Sequence, residues 1–176
     1  PSEPSNADTH TGMDGTTITY NQQQQAFVDL ISSGKSCVLI GAAGTGKTTS
    51  AQGGISKLIQ ERAIPPLQAD GHKHLRDGTP GVVIISYTRR AVNNIRKVLP
   101  TDLKHNAITS HKLLEYAPVV YRIEDPETGA VRNTMRFEPS RNAYNPLPAT
   151  IHTIVVEEAS MLSLELFSEI LAALQH

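Results

Sequence analysis

Three runs of apolar, largely β-branched residues punctuate the chain, and each is followed by a turn and then by apolar positions at helical spacing. Cys37-Val38-Leu39-Ile40 precedes a Gly-rich stretch and a stripe of Ile55, Leu58 and Ile59. Gly81 to Ser86 (G-V-V-I-I-S) precedes Ala91, Val92, Ile95, Val98 and Leu99, with Pro100 as the stop. His152 to Val156 precedes a closing helix from Leu164 to Leu174 that carries Leu166, Phe167, Ile170, Leu171 and Leu174. Unbroken apolar strands predict burial on both faces of a parallel sheet, and the 3.6-residue stripes predict the helices that cover it. The expected fold is therefore α/β, an open parallel sheet with helices on both faces.

Between these units the pattern is more varied. Ile18 onward reads I-T-Y-N-Q-Q-Q-Q-A-F-V-D-L-I, a helix with Asn21 as N-cap, Ala26, Phe27, Leu30 and Ile31 on one face, and a stop near Ser33-Gly34. Pro65 to Pro80 reads as a long surface loop, in which His72 and His74 lack a third ligand for a metal site. Ala107-Ile108 leads to Thr109-Ser110-His111 and a short helix through Leu113, Leu114 and Tyr116. Val119 to Ile123 and Val131 to Phe137 alternate around the turn Asp125 to Gly129, which predicts an inserted β-hairpin. Prolines 139, 146 and 148 make the return irregular.

Composition narrows the class. At 176 residues and 39% hydrophobic content, one domain over residues 18–176 is expected, after a polar leader at 1–17 too poor in apolar groups to order itself. The chain lacks an initiating Met. A net charge of −1 excludes a global pull toward nucleic acid or membrane, so any such partner must meet a local patch. The single cysteine, Cys37, is expected to be buried in its strand and suits a reducing, cytoplasmic setting. No run approaches the roughly 20 apolar residues that span a bilayer, so no membrane partner is expected.

The first apolar run ends in G-A-A-G-T-G-K-T-T, Gly41 to Thr49. The pattern G-x-x-x-x-G-K-[ST] curls the backbone of Gly41, Ala42, Ala43, Gly44, Thr45 and Gly46 so that successive N–H groups face phosphate oxygens. Lys47 would reach the outer phosphates, Thr48 would offer a hydroxyl to Mg²⁺, and the helix begun at Thr48 and Thr49 would aim its positive end at the anion. ATP with Mg²⁺ is the expected cofactor pair. The third run ends in Glu157-Glu158. There one carboxylate would reach the metal and the other would orient or deprotonate an attacking water.

Five blocks in this order resemble the N-terminal RecA-like motor domain of a superfamily 1 DNA helicase, in the RecD/Dda branch that moves 5′ to 3′ on single strands. Tyr20 to Phe27 resembles the Q motif, with Gln23 or Gln24 as the adenine-reading glutamine and Gln23 preferred because it keeps Ala26 and Phe27 in place. Gly41 to Thr49 resembles motif I, S-Y-T-R-R-A-V-N-N-I resembles motif Ia, I-T-S-H-K-L-L resembles the T-x-H block, and V-V-E-E-A-S-M-L resembles motif II. The resemblance implies ATP hydrolysis coupled to translocation on single-stranded DNA, with Thr88, Arg89, Arg90, Thr109 and His111 facing the strand. It also implies a second RecA-like domain of the same parent chain as partner. Two departures stand out. Glu157 holds the position of the family's Asp, and the sequence stops one helix after motif II, so a domain fragment with weak turnover alone is expected. The alternatives are another phosphate-loop ATPase motor or a non-catalytic nucleotide- or DNA-binding module.

Overall fold

The computed structural model describes residues 9–11, 17–42, 44–68 and 74–174. Its centre is a three-stranded parallel sheet built from Val82–Ser86 (β3), Ala107–Thr109 (β4) and Thr153–Val156 (β7), in the order β4-β3-β7. The middle strand is buried at every position, as its unbroken β-branched sequence requires. Val83 and Ile85 point into one core with Ile108, Leu113, Leu166 and Ile170. Val82 and Ile84 point into the other with Ile55, Leu58, Val92 and Leu103.

Among the described residues, five α-helices flank the sheet and its connections: Gln22–Ser32 (α1), Lys47–Glu61 (α2), Arg89–Val98 (α3), Ser110–Leu113 (α4) and Leu164–Ala173 (α5). Four begin on a side-chain cap. Asn21, Thr88, Thr109 and Ser163 each accept a hydrogen bond from an amide three residues on, and Gln24 completes a capping box with Asn21. Helix α1 rests on α2, where Lys57 and Asp29 pair at 2.9 Å and Arg62 Nε donates to the Ser32 carbonyl. The contact is close because Gly53 and Gly54 face it. A methyl on Gly53 would lie 1.8 Å from the Tyr20 hydroxyl, and one on Gly54 would lie 2.9 Å from Ile31.

The expected hairpin is present as Ala117–Glu124 (β5) and Val131–Glu138 (β6), antiparallel over all eight pairs. Asp125 closes its turn by accepting from the Glu127 and Thr128 amides, and Gly129 takes the left-handed conformation at φ +66°. Arg141 anchors the return strand, donating to the Glu115 carboxylate and to the Pro146 carbonyl.

Four expectations need correction. The run Cys37 to Ile40 forms no strand. Val38 is 81% exposed and Ile40 89%, and Cys37 is exposed as well. A strand exists through lateral pairing, and no described strand pairs with this run. In α1 the fully buried side chain is Val28, while Ala26 and Leu30 are exposed and Phe27 and Ile31 are half-buried, because α2 is the element packed on that helix and it covers one side. In α5 the buried positions are Leu166, Ile170 and Ala173, with Phe167 and Leu171 exposed on the side away from the sheet. The Pro65 to Pro80 loop is partly core, since Leu67, Leu75 and Thr79 are buried and Pro66 bridges to Pro80.

Within the leader, Thr9–Thr11 (β1) pairs antiparallel with Thr17–Thr19 (β2), and the remainder of residues 1–16 lies outside the described residues, as does His72. Among the described residues no three His, Cys, Asp or Glu side chains gather as metal ligands, and no helix is long and apolar enough to cross a membrane.

Candidate functional site

All three strands of the parallel sheet run the same way, so their carboxyl ends share one rim. That rim carries Tyr87 and Thr88 after β3, Ser110 and His111 after β4, and Glu157 and Glu158 after β7. Ligands of open α/β sheets bind along such rims.

The phosphate loop lies at the start of α2. Gly44 and Gly46 take left-handed φ values of +78° and +83°, which only glycine adopts without strain. Gly46 has no side chain with which to cap the helix, so the leading amides of Lys47, Thr48 and Thr49 lack the cap that Asn21 gives α1, and they have no intrahelical partner. A 15-residue helix ending in uncapped amides suits an anion. The loop interior is also kept clear of side chains. A methyl on Gly41 would lie 2.7 Å from Thr45 Oγ1, and one on Gly46 would lie 2.6 Å from Gln24 Nε2. Thr45 Oγ1 donates to the Ala42 carbonyl at 2.7 Å, and Lys47 Nζ donates to the Gly41 carbonyl at 2.5 Å, so the lysine is already folded over the loop. Ala43 lies outside the described residues.

Of the two candidate glutamines, Gln24 is the one brought to the loop. Its amide Nε2 donates to the Gly46 carbonyl at 3.4 Å while its Oε1 accepts from the Asn21 amide at 3.0 Å. Gln23 is exposed. The structure thus brings the alternative residue, Gln24, to the loop and leaves the preferred Gln23 at the surface. A run of four glutamines gives no internal marker of register, whereas the Asn21 cap fixes which of them faces α2.

Glu157 follows β7 directly, its amide donating to the Ile85 carbonyl at 2.9 Å and its carbonyl accepting from Ser86 Oγ at 3.2 Å. Burial, then the neighbouring Glu158 charge, pushes its carboxyl above the ordinary range, and the Lys47 ammonium pulls the other way. Lys47 and Glu157 thus share one electrostatic neighbourhood although 110 positions separate them in sequence, counting from 47 to 157. Glu158 is exposed and sits at φ +52°, ψ +49°, a conformation costly for a non-glycine residue and concentrated at functional sites.

On the other half of the rim, Thr88 and Thr109 spend a lone pair each as N-caps, accepting from Ala91 and Lys112. Arg89 and Arg90 are exposed on the first turn of α3. Arg96 is structural, since its Nε and Nη2 both donate to the Ala107 carbonyl and pin α3 to β4. His111 lies between two aromatic rings, Tyr87 at 5.6 Å and Tyr116 at 4.7 Å between centroids. Tyr116 in turn donates its phenol to the Glu169 carboxylate on α5, and burial together with that acceptor raises the phenol well above its ordinary pKa. Motif reading missed Tyr87, Tyr116 and Phe137, which border this region. The available signal was an aromatic residue placed directly after a buried strand and beside an arginine pair.

A phosphate loop at a helix start, beside a parallel sheet whose rim supplies the acidic pair, defines a P-loop NTPase. The family profile of the AAA domain matches residues 23–176, and the chain belongs to that family. No curated protein and no solved structure shows significant similarity to the chain. Domains of this class bind and hydrolyse nucleoside triphosphates, generally with Mg²⁺.

Proposed function

We propose that the chain is the ATP-binding motor domain of an ATP-dependent DNA helicase of the RecD/Dda type, moving 5′ to 3′ on single-stranded DNA. The observation that carries this reading is the shared rim. The loop and Glu157 stand on one side of it, and a cationic, aromatic surface stands on the other. The family adds weight, because AAA domains of this kind are often found in helicases of the UvrD, Rep and RecD types.

In this reading the loop amides and Lys47 bind the phosphates, and Gln24 is placed to meet the base. Thr48 and Glu157 would hold Mg²⁺, which supplies neutralisation of phosphate charge. Glu158, exposed and held in a strained backbone, orients or deprotonates the attacking water. Thr88, Arg89, Arg90, Thr109 and His111 meet the DNA strand. A second RecA-like domain of the parent chain would close the other side of the nucleotide cleft and allow closure to be coupled to movement. The 5′ to 3′ polarity rests on the resemblance to the RecD/Dda branch, of which the T-x-H block is typical.

One observation favours a second reading, a nucleotide-binding module with little turnover. The Glu157 side chain is one methylene longer than the Asp of the family it resembles, which displaces the carboxylate that would hold Mg²⁺. DNA-stimulated ATP hydrolysis by the full parent chain separates the two. Stimulation by single-stranded DNA that Lys47→Ala abolishes supports the motor. Nucleotide binding with no stimulated turnover, restored by Glu157→Asp, supports the module.

A further inference from the structure

One helix connects the two halves of the rim. Glu158 leads directly into a short turn, Ala159–Met161, in which the Met161 amide donates to the Glu158 carbonyl at 2.9 Å and the Leu162 amide donates to the Ala159 carbonyl at 3.1 Å. Ser163 then caps α5, five positions after Glu158. The buried face of α5 places Leu166, Ile170 and Ala173 in one core with Leu113 and Leu114, which follow His111. Glu169 lies three positions after Leu166 and four before Ala173, hence on that same face, and there it accepts a hydrogen bond from the Tyr116 phenol.

Tyr116 is tied to His111 twice. Its amide donates to the His111 carbonyl at 3.1 Å, and its ring meets the imidazole edge-on at 4.7 Å between centroids, inclined by 67°. A ring anchored at its backbone end and at its phenol end holds a fixed tilt, and an edge-to-face pair depends on that tilt. Burial and the Glu169 acceptor raise the phenol above its ordinary pKa, so the hydroxyl keeps the proton it donates. The apolar contacts of α5 with Leu113 and Leu114 are non-directional, whereas the hydrogen bond fixes where α5 sits against Tyr116.

We propose that Tyr116 and Glu169 are positioning residues that couple the nucleotide site to the DNA-facing His111, with α5 as the connecting element. The inference rests on the proposed motor reading and deepens it by naming how one half of the rim senses the other. The element with two arrangements is the turn at Glu158, a non-glycine residue at φ +52°, ψ +49°, which keeps that conformation only while its surroundings impose it. Phosphate bound or lost beside Glu157 and Glu158 changes those surroundings. The turn shifts α5, Glu169 carries the phenol with it, and the Tyr116 ring re-sets its tilt against His111. Such coupling is reciprocal, so DNA at His111 changes nucleotide affinity by the factor with which nucleotide changes DNA affinity.

The test measures the affinity of the full parent chain for a non-hydrolysable fluorescent ATP analogue with Mg²⁺, with and without saturating oligothymidine. The ratio of the two affinities is the coupling factor. The variants are Tyr116→Phe, Glu169→Ala and Glu169→Gln, with circular dichroism to verify folding. The unaltered chain should give a factor of about five or more. Tyr116→Phe, which keeps the ring and loses the hydroxyl, and Glu169→Ala should each bring it below about twofold, and the two combined should do no more than either alone. Glu169→Gln keeps an oxygen that accepts from the phenol and should rescue the factor to within about twofold of the unaltered chain. Affinities that fall equally with and without DNA leave the ratio unchanged. That result, or no change in any variant, assigns the pair to structure alone and overturns the link while the motor reading survives. An equal loss in Glu169→Gln and Glu169→Ala overturns it as well, since the hydrogen bond would then not be the cause. If the unaltered chain gives a ratio of one, or binds no DNA, the motor reading falls with the link.

Discussion

Val82–Ser86 and Cys37–Ile40 are close to interchangeable as sequence, each a short unbroken apolar run ending at a loop. In the fold they are opposites. The first is flanked by β4 and β7 and covered on both faces. The second is exposed at Cys37, Val38 and Ile40, with no described strand beside it. Apolar patterning states what a segment can bury, and neighbours decide whether it does. The phosphate loop between Gly41 and Lys47 is correspondingly held from its helix side. Gly46 turns into α2, Gln24 reaches across from α1, and α2 packs Ile55 and Leu58 under the sheet.

The glycines that border the two runs offer the sharpest contrast. A methyl on Gly81 would lie 2.0 Å from the Thr150 carbonyl oxygen and 2.9 Å from that of Pro65, both backbone atoms that cannot step aside. Gly81→Ala should therefore cost about 4 kcal/mol or abolish cooperative unfolding, as read by urea denaturation. At Gly41 the nearest obstacles are the Thr45 hydroxyl and the Lys47 side chain, both able to rotate. Gly41→Ala should lower stability by no more than about 1 kcal/mol, with its larger effect on nucleotide affinity.

Truncation within the runs follows the same logic at smaller scale. Ile84 is 1% exposed, and Ile84→Ala should cost about 3 kcal/mol through lost burial and a residual cavity. Ile40→Ala should stay within about 0.5 kcal/mol of the unaltered chain. Comparable losses at the two sites would mean that the first run is covered in solution.

The smallest expected effect is a pH dependence at Glu157. Its folded pKa is raised, so the fold favours the neutral carboxyl. The associated stability is fully present below the unfolded value of about 4.3 and is lost as pH rises through the folded value. Without Mg²⁺ or nucleotide, Glu157→Gln should therefore unfold at a higher temperature than the unaltered chain at pH 7. The difference should shrink toward zero near pH 4. A constant difference across that range would show that Glu157 is ionised with no penalty in the fold.

What could be read in the sequence follows from how local the cause was. The β3 strand, the cap at Asn21, the hairpin and its Asp125 turn all depend on residues within a few positions, and each was legible. The exposure of Val38 and Ile40, and the burial of Leu67 and Leu75 inside a Pro- and Gly-rich loop, depend on which distant segments arrive beside them. At the site, Lys47 and Glu157 were identifiable from motif and strand-end position, although their shared field required the fold. Gln24 was ambiguous by one residue for want of a marker inside the glutamine run. The rings of Tyr87, of His111 with Tyr116, and of Phe137 come from three separate segments, and only folding assembles them.

The central claim is that a loop anchored from the α2 side is a working triphosphate site. Its most direct test is equilibrium binding of a fluorescent ATP analogue to the chain and to Lys47→Ala, with and without Mg²⁺. Mg²⁺-dependent binding is expected, weakened at least about tenfold by Lys47→Ala, since that side chain folds its ammonium over the loop. Equal affinity in the two proteins, or no binding by either, would contradict it.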